Sequence, residues 1–175
     1  SLKPRLFPQQ KEAVIGATYL EKNLIVLGPG SGKTETAAAY AEGRRENREK
    51  GGSLGPSGLW LTKPGNREQT AYRLKYEILK NEPNVEVLGP VQVRFSPDEM
   101  LRFLNSCRYV VAGYNTARDL MVKNPSAFSV LQEWVKPVTK GRDEGHLSDN
   151  DRSGRSRAVQ LLESENTIIA TGTLY

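Results

Sequence analysis

Gly28-Pro29-Gly30-Ser31-Gly32-Lys33-Thr34 brings glycines, a lysine and a hydroxyl together in an order suited to a triphosphate. The glycines, Gly28, Gly30 and Gly32, with Ser31, let the backbone curl so that successive N–H groups converge on phosphate oxygens. Lys33 would reach the β- and γ-phosphates, and the Thr34 hydroxyl would complete a Mg²⁺ shell. Leu27 stands where a strict phosphate loop has its first glycine. Far downstream, Asp143 and Glu144 form a carboxylate pair. ATP hydrolysis needs such a pair: Asp143 would hold Mg²⁺ through water, and Glu144 would orient and deprotonate the attacking water. Taken alone, Asp143-Glu144-Gly145-His146 reads better as a charged surface turn; its surroundings change that weighing.

These groups work only if the chain positions them. The apolar run 24–27 leads into the glycine loop and residues 35–40 read as a helix, so the loop has the strand-before, helix-after setting that phosphate binding requires. That helix runs into Arg44, Arg45, Arg48 and Lys50 and stops at Gly51-Gly52; the basic end suits a helix C-terminus and reads as a solvated face. Residues 58–62, 109–112 and 167–170 read as buried strands. The runs 84–88 and 91–95, separated by Gly89-Pro90, look β-like. Helices are expected over 9–21 and 66–80, from Ser96-Pro97-Asp98-Glu99 onward, in runs after the 109–112 strand to about Trp134, and over 155–163. Ahead of Asp143, Pro137 and Gly141 argue against a central strand. Strands alternating with helices give an α/β class with a mostly parallel sheet covered on both faces.

The chain has 175 residues, which suits one domain, and a formal net charge of +5, which suits an anionic partner. It has one cysteine, Cys107, so no intrachain disulfide can form. Cys107 reads as a small core residue. No apolar run reaches membrane-spanning length and the first residues lack a signal peptide's plan, so the expectation is an intracellular protein without a membrane partner.

Other segments fall in order with the loop and the carboxylate pair. Residues 6–13 (LFPQQKEA) precede the loop, Trp60-Leu61-Thr62-Lys63-Pro64 follows it, then Val110 to Thr116 (VVAGYNT), and Ile168-Ile169-Ala170-Thr171-Gly172-Thr173 closes the series. On these motifs the chain resembles the superfamily 2 helicases, and within them the Swi/Snf-type DNA translocases and chromatin-remodelling ATPases. The opening segment and loop also look like superfamily 1, but the histidine after the carboxylate pair and the TGT favour superfamily 2.

The resemblance implies a RecA-like P-loop NTPase fold and makes residues 1–175 a single ATP-binding lobe. It implies ATP and Mg²⁺ as ligands, with Gln10 contacting the adenine. Thr62, Lys63, Tyr114, Asn115 and Thr116 would contact nucleic acid, DNA in the Swi/Snf type, and His146, Thr171, Gly172 and Thr173 would couple the ATP site to it. A second RecA-like lobe, joined in cis but absent from this chain, would supply an arginine finger, leaving the isolated lobe nearly inactive. Two alternatives stand beside the helicase or translocase reading: a nucleotide-binding module without motor action, and a P-loop phosphotransferase. Nothing between residues 35 and 175 reads as a lid or acceptor-binding element for the latter.

Overall fold

The backbone alternates strand and helix around one parallel sheet. A computed structural model describes residues 23–27, 33–48, 55–143 and 154–170. Strands β1 (Asn23–Leu27), β2 (Gly58–Thr62), β3 (Val85–Leu88), β4 (Tyr109–Gly113), β5 (Thr139–Asp143) and β6 (Asn166–Ala170) lie in the order β1-β6-β5-β2-β4-β3. All neighbours are parallel. The helices are α1 (Lys33–Arg48), α2 (Arg67–Tyr72), α3 (Pro90–Val93), α4 (Pro97–Asn105), α5 (Tyr114–Lys123), α6 (Pro125–Val135) and α7 (Gly154–Leu161). A 3₁₀ turn over Pro64–Asn66 precedes α2, and a π-helical stretch over Arg73–Ile78 continues it. The expected helix over 9–21 lies outside the described residues.

Strands buried on both sides divide their side chains by parity. Trp60, Tyr109 and Val111 pack with Ala37 to Ala41 of α1 and with Ala71, Leu74 and Ile78 of α2 and its π-helical continuation. Leu59, Leu61, Val110 and Ala112 pack on the opposite face with α4, α5, α6 and α7. Trp60 forms an edge-to-face pair with Tyr109, the ring centroids 5.4 Å apart.

β5 corrects the expectation from Pro137 and Gly141. Pro137 lies before the strand, where its missing N–H costs no ladder bond. Gly141 sits inside it because the Trp60 indole occupies the space: a Cβ there would stand 3.1 Å from the ring. Gly58 meets the same indole, with a Cβ only 2.4 Å from it. Two glycines in neighbouring strands thus make room for one tryptophan. Lys140 is also buried in this central strand, and its Nζ donates to the Val159 carbonyl at 3.2 Å and the Leu162 carbonyl at 2.7 Å. The ammonium thereby satisfies carbonyls that the end of α7 leaves unpaired.

Two further expectations are corrected. The run 91–95 is not a strand. Gly89 caps a short helix, Pro90 takes its first turn, and Gln92 Oε1 accepts from the Gly89 N–H at 2.8 Å. Proline at N1 and a side chain closing the turn outweigh the β-propensity of the valines. The basic end of α1 is not simply solvated either. Arg45 is buried and its Nε donates to the Gly55 carbonyl at 2.6 Å, while Arg48 Nη2 donates to the Pro56 carbonyl at 2.7 Å. The arginines fold back onto the segment that follows the helix. Nearby, Glu42 accepts from Ser57 Oγ at 3.1 Å, from Tyr109 Oη at 2.5 Å and from Arg108 Nη2, joining α1 to the starts of β2 and β4.

Other expectations hold as read. Ser96 Oγ accepts from the Glu99 N–H at 3.1 Å while Glu99 Oε1 accepts from the Ser96 N–H at 3.1 Å, with Pro97 at the first turn. Cys107 is buried in the core, and burial pushes its thiol up to about 11.

Candidate functional site

All parallel strands end on one side, so every segment that follows a strand leaves from the same edge. Leu27 of β1 and Asp143 of β5 both stand in register with Ala170 of β6. The C-terminal ends of β1, β6 and β5 therefore stand side by side. Next along the edge, Leu61 pairs with Arg142, and Thr62 with Gly113. Lys63 and Tyr114-Asn115-Thr116 depart there.

Thr34 is the second residue of α1, and Asp143 is the last of β5. Both line one small cleft with Ala37, Trp60, Gly141 and Ile168. Gly141 faces Trp60, and Asp143, two residues on, shares that α1-facing side of the sheet. The cleft has an open volume of about 20 Å³, the scale of one water molecule. Tyr114 Oη donates to the Asp143 carbonyl, tying the end of β5 to the first residue of α5. Glu35, beside Thr34, accepts from Arg73 Nη2 at 2.7 Å, which braces the first turn of α1 against the π-helical stretch.

A hydroxyl and a carboxylate at one cleft are hard oxygen donors, the set that suits Mg²⁺ when phosphate oxygens complete its shell. Among the described residues, no group of three or more His, Cys, Asp or Glu side chains gathers to hold a metal by itself. Lys33 begins α1. Gln10, Gly28, Gly30, Ser31, Gly32, Glu144, His146, Thr171, Gly172 and Thr173 lie outside the described residues.

The five residues expected at nucleic acid come together on the β2–β4 rim, with different exposures. Lys63 is exposed and Asn115 half-buried. Thr62 is buried and its hydroxyl donates to the Lys63 carbonyl at 2.8 Å. Tyr114 is buried, its ring in the core and its hydroxyl on Asp143. Thr116 is buried and its Oγ1 accepts from Arg67 Nη1 at 3.2 Å. Arg67 was not among the sequence candidates. Its position one helical turn after Lys63, at the start of α2, is the signal that could have marked it. Lys140 was missed because a lysine in a polar-looking segment gives no hint of burial. Trp60 and Trp134 are core residues, whereas Tyr72 is exposed beside Tyr76, their ring centroids 4.9 Å apart.

No protein-family model matches the sequence, and no curated protein matches it by sequence. Solved structures do match in fold. The SWI2/SNF2 ATPase core of Sulfolobus solfataricus, solved in complex with dsDNA, matches 99% of this chain with a TM-score of 0.70 at 18% identity. The Hef helicase domain of Pyrococcus furiosus matches 97% with a TM-score of 0.66, also at 18% identity. The chain spans about a third of the length of each (33%). The fold is thus a RecA-like α/β fold, shared with these two structures. No helix among the described residues is long and apolar enough to cross a membrane.

Proposed function

We propose that this chain is the ATP-binding lobe of a nucleic-acid-dependent ATPase of the helicase or double-stranded DNA translocase type. Joined to a second RecA-like lobe, it would couple hydrolysis to movement on DNA. The observation that carries this reading is the cleft that Thr34 and Asp143 both line, on the same sheet edge as the exposed Lys63 and half-buried Asn115.

The glycine loop would present its N–H groups to the phosphates, and Lys33 would place a charge on the β- and γ-oxygens. Thr34 and Asp143 would hold Mg²⁺, which when bound offsets the charge of the phosphates. Gln10 would read the adenine. Glu144 would take the proton of the attacking water at a carboxylate oxygen, and burial of that water would keep it oriented. The Tyr114–Asp143 hydrogen bond would link the nucleotide edge to the nucleic-acid rim, so that movement at the end of β5 would be passed to the start of α5. By the resemblance, His146 and Thr171, Gly172 and Thr173 would contribute to the same coupling.

The test is ATP turnover by the chain joined to its second lobe, with and without DNA. Stimulation by DNA that is lost in Glu144→Gln supports the reading. DNA-independent transfer of phosphate to a small acceptor would replace it with a phosphotransferase.

A further inference from the structure

Between α3 and α5 the surface opens into a groove of about 480 Å³, lined by Arg94, Thr116, Asp119, Lys123 and Asn124 among others. Its walls are pinned. Asn124 Nδ2 donates to the Val93 carbonyl at 2.9 Å and the Phe95 carbonyl at 2.7 Å, fastening the end of α5 to the segment after α3. Its charge is unbalanced. Asp119 is paired with Arg118 at 3.2 Å, whereas neither Arg94 nor Lys123 forms an ion pair with a described residue, and both are exposed. Its upper end is shared. Thr116 lines the groove, follows Asn115, and accepts from Arg67 at the β2–β4 rim.

We infer that this groove is a second phosphate-backbone site, continuing the Lys63–Asn115 rim down the β3 side of the lobe. The inference rests on the nucleic-acid reading above and adds residues to which no role has yet been assigned. A pinned, half-open channel with two uncompensated cations suits a polyanion of fixed charge spacing. A hydroxyl and two cations without an aromatic platform suit phosphates rather than bases, while the Asn124 amide is spent on pinning the wall. Thr116 and Lys123 are seven residues apart on one helix, about 10 Å along its axis. A nucleic-acid strand carries a phosphate roughly every 3.4 Å of axis, so the groove would accompany about three phosphates beyond the rim. An acidic peptide would meet the same two cations, but it has no counterpart for the continuity with Lys63 and Asn115.

The experiment is anisotropy titration of the 175-residue chain with labelled DNA duplexes of increasing length, over a salt series. Arg94→Gln/Lys123→Gln is compared with Lys63→Ala/Asn115→Ala and with a charge-matched surface control, Arg102→Gln/Lys136→Gln. The groove pair is expected to weaken binding about tenfold on long duplexes at low salt. It should flatten the log–log salt slope by about 1.8, the value for two lost phosphate contacts. On duplexes too short to leave the rim, it should match wild type. If the groove pair behaves like the control while the rim pair weakens binding, the groove is not a nucleic-acid site and the rim reading stands. If wild type binds no duplex, both readings fall. All four exposed charge positions should leave the melting temperature unchanged.

Discussion

Lys33 stands where the glycine loop becomes helix α1, so one side chain can test the nucleotide assignment. Lys33→Ala is expected to lower ATP or ADP affinity by about tenfold or more, through loss of a charge-assisted contact to phosphate. Titration with a fluorescent nucleotide reads this out, and equal affinities would remove Lys33 from the site. Gly141 bears on the same cleft from the other side. Gly141→Val should cost about 2 kcal/mol, because the new side chain must displace the Trp60 indole or β5. Urea unfolding measures the cost, and an unchanged midpoint would mean that the indole moves freely. That Thr34 and Asp143 belong together was legible from residue type and spacing, and both line one cleft. The requirement for Gly141 was not, since it comes from an aromatic ring 81 positions earlier that only the folded sheet brings alongside.

Elements show the same division. β2, β4 and the Ser96 helix start were legible because local signals, apolar runs and a capping box, agree with their tertiary setting. β5 was illegible because Lys140 and Gly141 each have a remote partner, the end of α7 and Trp60. Lys140 also gives a pH signature. Burial first, then the charge of Arg142, lowers its ammonium to about 8, against an opposing pull from Glu163. Below pH 8 both folded and unfolded chains hold that proton, and the folded state carries a constant penalty. Between about 8 and 10.5 only the unfolded chain holds it, so this group makes stability rise with pH. The buried Cys107 thiol acts oppositely above pH 9, because the unfolded thiol loses its proton first. Wild type should therefore gain about 2 kcal/mol relative to Lys140→Met between pH 8 and 9.5, read from paired urea titrations. Parallel curves would show that Lys140 is not buried as described. At the same end of the sheet, on its α1 face, Glu42→Ala should destabilise by about 3 kcal/mol, since it strips Arg108 and Tyr109 of a shared buried acceptor. Chemical denaturation is the measure, and a loss below about 1 kcal/mol would show the network to be solvated.

At the scale of the whole molecule, the proposed nucleotide cleft and the proposed nucleic-acid rim share one sheet edge, and on this reading an arginine finger would come from a second lobe. Because an arginine finger contributes on the order of a thousandfold or more, the isolated chain should turn over ATP below ~1 s⁻¹. A coupled phosphate-release assay checks this, and faster turnover abolished by Glu144→Gln would mean that the lobe completes its own site. The sequence reached this scale through ordered motifs, whereas the β3-side groove depends on how α3 and α5 are pinned together. The two tryptophans lie on opposite faces of the sheet, Trp60 at the cleft with Thr34 and Asp143 and Trp134 in the far core. That arrangement makes the protein its own optical probe. With Trp134 replaced by phenylalanine, all remaining indole emission comes from a ring at the proposed nucleotide cleft, so occupancy could be followed in real time without a dye.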